Sequence, residues 1–514
     1  MTQEMKINDK NMGRYCSHTM GNWFIRRMPA MTALSTELHP ALATFKTALA
    51  QPDLPARLRA GLIGEGASIP GPDGPVPMLY ADYVASGRAL RQVEDFVMEH
   101  VLPYYANTHT ETSFCGAYST RLRESARAEI ARILGAGDGC HVIFSGAGAT
   151  SGLNRIVGLL NIPQTLARGG KVVVLHGPYE HHSNLLPWRE SGAEVHEIPE
   201  SATGGPDMAV LAAALACHKT ADLLIGTFSA MSNVTGILTD TDAVTRLLKS
   251  HGALAIWDYA GGAPYVAMQM QTAPDAAKDA IVFSAHKFPG GPGASGVIAL
   301  RETLLRRDTP TQPGGGTVAF VSPMTHLYSD DVVAREEAGT PNVVGDIRAA
   351  LVMLIKEALG QDWIDARNQT LRDRALQAWR ACPGLQILGN PQADCPFPIF
   401  AFRPHTPDGR PINHNTFTRM LSDLHGIQAR GGCACAGPYG HRLLQIDARH
   451  STAIFAEIHA GHPVEKPGWV RVNLSYLLTD AKADAIIGGI TTMALTANAH
   501  LPSYAPEAEP ALFT

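Results

Sequence analysis

The sequence predicts an α/β fold, and three features carry the prediction. Continuous apolar runs of strand length recur at 171–175, 222–227, 253–257 and 280–283, and unbroken apolarity marks strands buried on both faces of a parallel sheet. Between them lie stretches of helical spacing, such as Leu122, Ala126, Ile130, Ile133 and Leu134 in 119–134. Two of the apolar runs end in chemistry, the first in Asp258 and the next at Ser284, Ala285, His286 and Lys287. In α/β proteins ligands sit at the carboxyl ends of strands, so such residues can face one pocket.

The 514 residues, 45% hydrophobic and 17% charged, have an ordinary globular composition with room for two or three domains. A formal net charge of −5 with no basic stripe gives no electrostatic case for nucleic acid. No apolar run approaches the ~20 residues of a membrane-spanning helix. Eight cysteines scattered along so long a chain do not make a disulfide framework, and the expected compartment is the cytoplasm.

Taken in order, 1–40 is polar and methionine-rich and reads as a disordered extension; Arg26 and Arg27 precede no apolar h-region, so no export signal is inferred. Helical patterning follows over 41–62, then a turn-rich piece at 69–75 and a short strand and turn at 78–87 that holds Asp82. A loop at 105–109 carries Asn107 and His109 ahead of the 119–134 helix, where His109 either points toward substrate or simply sits in the loop. After the strand 141–144 comes Ser145-Gly146-Ala147-Gly148-Ala149-Thr150, whose small residues and following helix N-terminus suit an anion. Glu180-His181-His182 forms a loop whose histidines have no ligand partner at helix spacing, and no metal is expected.

Lys287 gives the chain its chemistry. A lysine at the end of a core strand among small residues is desolvated, which lowers its pKa and makes the amine a nucleophile for Schiff-base formation. Pyridoxal phosphate needs such a lysine and a carboxylate to keep its pyridinium nitrogen protonated, and Asp258 is placed to be that carboxylate. Farther on, Arg430-Gly431-Gly432-Cys433-Ala434-Cys435 puts two thiols on a glycine-rich loop, and 468–476 reads as a strand with Arg471 on it. The cysteines could be part of a zinc site with His441, although no fourth ligand is evident, or inert buried thiols.

The segments around Asp258 and Lys287, and the order of the others, resemble the class V, fold-type I pyridoxal-phosphate enzymes, most closely the SufS-like cysteine desulfurases with selenocysteine lyases nearby. The resemblance runs from about Tyr80 to about Thr479. It implies a large domain with a mostly parallel seven-stranded sheet at 81–345 and a small α/β domain at 346–499. A segment at 41–80 is expected to pack with the small domain, and 500–514 to form a loose tail. Cofactor contacts carried over are Ala149 and Thr150 at the phosphate loop, His181 over the ring and Asn233 near the phenolic oxygen. Asp258, Ser284, His286, Lys287 and, from a loop that crosses a dimer interface, Thr317 complete the set. Arg471 and Arg430, with Asn107 and His109, are the implied substrate contacts, a guanidinium fork suiting a carboxylate. Cys435 satisfies the nucleophile motif.

Three departures stand out. Ala149 offers one hydroxyl fewer than the family's usual threonine pair. Cys433 replaces the usual histidine of SufS-like enzymes. Gly261 replaces the glutamine or histidine three positions after the aspartate, so a hydrogen bond to the cofactor is missing or comes from a residue such as Tyr259. The expected protein is a homodimer with shared active sites that converts L-cysteine to L-alanine, passes sulfur to Cys435 as a persulfide and hands it to an acceptor protein. Another class V reaction (aminotransferase, C–S lyase or epimerase) is the alternative that Gly261 and Cys433 favour, and a degenerate non-catalytic scaffold is the third. No nucleic-acid or membrane partner is expected.

Overall fold

The structure is a computed structural model that describes residues 38–108, 110–462 and 466–504. Expectations for 1–37 and 505–514, and for His109, lie outside the described residues. Among the described residues no helix is long and apolar enough to cross a membrane.

A seven-stranded sheet organises the larger part of the chain. Its strands are β1 (Cys140–Phe144), β2 (Val172–His176), β3 (Glu194–Glu197), β4 (Leu223–Ser229), β5 (Leu254–Asp258), β6 (Ala280–Ser284) and β7 (Gly296–Arg301). They lie in the order β1-β7-β6-β5-β4-β2-β3. From β3 to β6 every pairing is parallel, and β7 alone runs antiparallel to both its neighbours. The connection from β6 to β7 is too short for a crossover helix, which leaves only an antiparallel return. Because β7 is reversed, β1 runs in the same direction as β6. Val297 pairs with both Phe144 and Phe283, so the loops after β1, β4, β5 and β6 open on one edge of the sheet.

Packing fixes that edge. The helix α2 (Gly148–Leu159) lies on β6 and β7 through Leu153 and Ile156, which join Val282 and Ile298 in a fully buried cluster. Each such side chain contributes about 1.5–3 kcal/mol when removed from water. Close approach demands glycine here: a Cβ on Gly152 would fall 2.6 Å from Val282 Cγ1, and one on Gly296 would fall 2.4 Å from the Gly148 carbonyl.

The helix α1 (Phe114–Leu134) begins five residues before the predicted 119, because Ser113 caps it by accepting the Gly116 N–H at 3.2 Å. It carries a buried ionic cluster in which Arg123 Nε bonds Asp346 Oδ2 at 2.7 Å and Arg127 Nη1 bonds Glu337 Oε1 at 2.7 Å. The Phe144 N–H also donates to Glu337, at 2.7 Å, tying the 337 loop to the end of β1.

The expected small domain at 346–499 opens on two helices, α3 (Val343–Leu359) and α4 (Gln361–Trp379). Gly360 separates them with φ 81, a conformation costly for a residue with a Cβ. The C-terminal sheet has four antiparallel strands, β8 (Leu385–Ile387), β9 (Ile399–Pro404), β10 (Arg430–Gly432) and β11 (Trp469–Asn473), in the order β8-β9-β11-β10. Trp379, Phe400, Phe402, Phe417 and Val472 form its own core.

Of the 41–80 segment, Pro40–Leu49 packs on α1 rather than on this sheet: Lys46 Nζ reaches Glu129 at 2.8 Å, and Phe45 meets Phe96. Leu79–Tyr80 does join the C-terminal part, pairing in parallel with Ile427–Gln428. The expected loose tail begins as the 3-10 turn Leu501–Tyr504, held by Tyr504 Oη to Asp423 at 3.2 Å.

Candidate active site

At the strand-end edge lies a cavity of about 190 Å³ lined by Ala149, Thr150, His181, Asn233, Asp258, Ser284, His286 and Lys287, with Ser183, Ser229, Met231 and Gly261 among the other walls. Eight of the residues singled out in the sequence thus meet in one place. Asp258 and the segment ending in Lys287 come from adjacent parallel strands, with Asp258 opposite Val282.

Lys287 follows β6 on a single 3-10 turn. Burial lowers its pKa from 10.5 to about 8; Asp258 pulls it up, while Arg471 and Arg430 push it down. Its amine has no hydrogen-bond partner among the described residues. Burial raises the Asp258 carboxyl above the usual range. One Asp258 oxygen accepts the Ala260 N–H at 2.7 Å, and the other is uncommitted among the described residues.

His181 is held near pKa 3, by burial first and then by the charge of Lys287, so its ring is neutral. Nδ1 accepts the Ser183 N–H at 3.1 Å, which places the ring proton on Nε2. The loop carrying His181 is anchored by Glu180, which accepts the Ser229 N–H at 2.8 Å and the Ser229 hydroxyl at 2.7 Å. Burial raises Glu180 to about 7. At the α2 N-terminus the Ala149 N–H donates to Ser284 Oγ at 2.9 Å, and the Thr150 and Ser183 hydroxyls meet at 2.7 Å. This corner gathers hydroxyls and free helical N–H groups, as an anion requires.

The Cys435 loop is docked against the cavity wall. The His182 N–H donates to the Cys435 carbonyl at 2.9 Å, the Gly437 N–H to His182 Nε2 at 3.1 Å, and Asn233 Nδ2 to the Ala434 carbonyl at 2.9 Å. Ala434 and Cys435 sit at φ 50 and 55, a left-handed pair that costs non-glycine residues energy and occurs where the surroundings enforce it. Cys435 is exposed and lies within electrostatic reach of Lys287, whereas Cys433 is half-buried. Exposure disposes of the buried-thiol reading for Cys435. His441, the third residue of the zinc reading, has its ring nitrogens on the Gly437 carbonyl at 2.8 Å and Ser451 Oγ at 3.0 Å, and it does not cluster with the two thiols among the described residues.

Arg471 lies behind Asn233, and neither it nor Arg430 is part of the lining itself. Arg471 Nη1 donates to the Asn233 carbonyl at 3.1 Å and Nη2 to Asp82 Oδ1 at 2.7 Å, while Arg430 Nε meets Asp82 Oδ2 at 2.9 Å. Arg471 Nε and Asn233 Oδ1 are buried and unpartnered among the described residues.

Besides the two arginines, Thr317 and Asn107 are expected contacts that do not line the cavity within the chain. Thr317 is fully buried with its hydroxyl on the Gly314 carbonyl at 2.7 Å, and Asn107 is exposed in its loop. Tyr259 does not replace the missing glutamine, because its hydroxyl bonds Thr241. Asp82, Glu180 and Ser183 are the residues that sequence reasoning left without a role. Away from the cavity, Glu194, His196 and His218 converge at β3, where Lys171 Nζ sits 3.0 Å from Glu194 as the local cation.

The cavity can hold a group that offers an aldehyde to an amine, a basic ring nitrogen to a carboxylate and a phosphate to a helix N-terminus. Residues 79–459 match the family described as Aminotransferase class-V. A cysteine desulfurase of Klebsiella pneumoniae is 30% identical over 421 residues, covering 80% of this chain and 93% of the relative. A probable cysteine desulfurase of Vibrio cholerae is 29% identical over 369 residues, 70% and 85% of the two chains. Among solved structures, the apo cysteine desulfurase of Thermococcus onnurineus superposes with TM-score 0.69 at 22% identity, covering 86% of this chain and 98% of its own.

Proposed function

The chain belongs to the aminotransferase class-V family, and we propose that within it the protein is a pyridoxal-phosphate-dependent cysteine desulfurase. The observation that carries this reading is the cysteine loop docked beside the cavity, since transamination has no use for an exposed thiol held at that place. The named relatives are desulfurases, which supports the same reading.

The residues present fit the cofactor. Lys287 has an uncommitted amine for its aldehyde carbon and Asp258 an uncommitted oxygen for its ring nitrogen. Thr150, Ser284, His286 and the α2 N-terminus would take its phosphate, with His181 and Asn233 at the ring. When bound, the cofactor supplies an electron sink for bonds broken around the substrate α-carbon.

The chain's own groups then divide the work. Arg471 would orient the substrate carboxylate through its unpartnered Nε. Lys287, once its amine is freed, would move the proton at the α-carbon, a task suited to an amine with pKa about 8. Asp258 would stay ionised against the ring nitrogen, the paired positive charge offsetting the burial that raises it. His181, neutral with its proton on Nε2, can donate but carries no charge of its own. Cys435 Sγ would attack the substrate sulfur: an S–S bond forms, the substrate Cβ–S bond breaks, and the carbon skeleton takes up a proton to leave as alanine. The exposed position of Cys435 lets an acceptor protein collect the sulfur.

We also propose a homodimer. Phe320, Met324 and Leu327, on the hairpin of Val318–Val321 and His326–Tyr328, are 57%, 91% and 62% exposed, an apolar surface that a second copy would cover.

Product analysis tests the function. With L-cysteine and a reductant, equimolar alanine and sulfide are expected from wild type and Cys433→Ala protein, and neither in quantity from Cys435→Ala. Pyruvate and ammonia in place of alanine would overturn the reading in favour of a lyase.

A further inference from the structure

We infer that Asp82 is a specificity-determining residue, which sets the net charge of the substrate-carboxylate site so that it takes a monocarboxylate and rejects a dicarboxylate. The inference rests on Arg471 as the carboxylate-binding residue of the proposed function.

Two guanidinium groups converge on one carboxylate. Asp82 Oδ1 accepts from Arg471 Nη2 at 2.7 Å and Oδ2 from Arg430 Nε at 2.9 Å. Asp82 and Arg471 are buried, 8% and 4% exposed, while the Arg430 side chain is half in water at 50%. Both carboxylate oxygens are thereby engaged, and the cluster carries one uncompensated positive charge. That charge has an outlet: Arg471 Nε is buried and has no partner among the described residues. A buried unsatisfied donor on a cation is costly unless an acceptor arrives, and one carboxylate both fills it and balances the remaining charge.

A second substrate carboxylate would face Asp82, on which both guanidinium groups are already engaged, and like charges brought together in a partly desolvated site repel. Asp82 is fixed in place by backbone as well. It pairs with Asn473, the last residue of the strand that carries Arg471, where the Asn473 N–H donates to the Ala81 carbonyl at 2.8 Å. The backbone fixes where the side chain starts, and the two guanidinium bonds hold the carboxylate itself.

The test compares two thiol carboxylates, 3-mercaptopropionate with one carboxylate and mercaptosuccinate with two, titrated calorimetrically into cofactor-loaded enzyme. Wild type is expected to favour the monocarboxylate. Asp82→Asn should move the ratio of the two dissociation constants by about tenfold toward mercaptosuccinate, the size expected for one partly screened charge. Asp82→Glu, which keeps the charge, should keep the wild-type preference. Asp82→Asn with Arg430→Gln restores the charge count and should return the ratio to near wild type, a recovery that a merely structural role for Asp82 would not produce. An unchanged ratio in folded Asp82→Asn protein, or a double variant no different from the single one, would overturn the inference. If wild type binds either anion equally well with and without Arg471→Gln, the Arg471 assignment falls and the inference falls with it. Because binding is read directly, failure of cysteine turnover is a separate result that bears on the proposed reaction alone.

Discussion

The lysine amine offers the sharpest quantitative expectation. Burial lowers Lys287 from 10.5 to about 8 even though Asp258 pulls the other way. At about pH 7 an ordinary lysine is neutral in roughly one molecule in three thousand, whereas one of pKa about 8 is neutral in about one in ten, roughly three-hundredfold more nucleophile. Covalent capture of pyridoxal phosphate by apoprotein reads this directly, followed by stopped-flow absorbance as pH is raised from about 6 to about 10. The rate should climb about tenfold per pH unit and level off near 8, because above its pKa the amine is already neutral. Asp258→Asn removes the negative charge that favours the ammonium, so its midpoint should move to lower pH. A wild-type rate that keeps rising to the range of an ordinary lysine, or a midpoint that moves up in Asp258→Asn, would refute the electrostatic reasoning. Lys287→Ala protein should form no such absorbance band.

Other expectations follow from packing and charge. Despite burial, Arg127 and Arg123 hold Glu337 down to about 2 from 4.5. Its stabilising contribution should therefore be complete above about pH 4.5 and be lost as pH falls toward 2. Glu337→Gln should cost about 3–5 kcal/mol in urea unfolding at neutral pH, because it leaves two buried arginines short of a partner, and should flatten the acid limb. Gly261→Gln should fold normally, since a Cβ there lies 3.4 Å from the nearest atom of Asn233, an ordinary contact. An amide at that place should slow cofactor loss on dialysis by about tenfold, the worth of one net hydrogen bond. Phe320→Asp with Leu327→Asp should shift sedimentation from dimer to monomer; an unchanged dimer would place the interface elsewhere.

What was readable in the sequence was local. Asp258 and Lys287 end unbroken apolar runs, and a buried strand with a polar last residue needs no distant information to be recognised. The same holds for the small-residue loop at Ala149 and Thr150. Pairings across the chain left no such trace. Asp82 meets Arg430 and Arg471 from 348 and 389 residues away, and nothing in the spacing of either arginine points to it. Glu180 went unassigned because its partners, Ser229 and Asn184, become meaningful only once β4 places the Ser229 backbone beside it. An acidic residue beside a histidine pair was the available signal. Gly360 is a local signal of the same kind, a single glycine at φ 81 that parts α3 from α4. The left-handed Ala434 and Cys435 could not be foreseen, since neither residue favours that conformation and only the docked loop imposes it.

The central claim is that Cys435 receives the sulfur. Holoenzyme given L-cysteine without reductant, alkylated and digested, should show the peptide containing Cys433 and Cys435 heavier by one sulfur atom, with fragmentation placing it on Cys435. Cys433→Ala should leave that signal in place and Cys435→Ala should remove it. Alanine formed with the extra sulfur on Cys433, or with no persulfide on the chain at all, would contradict the assignment.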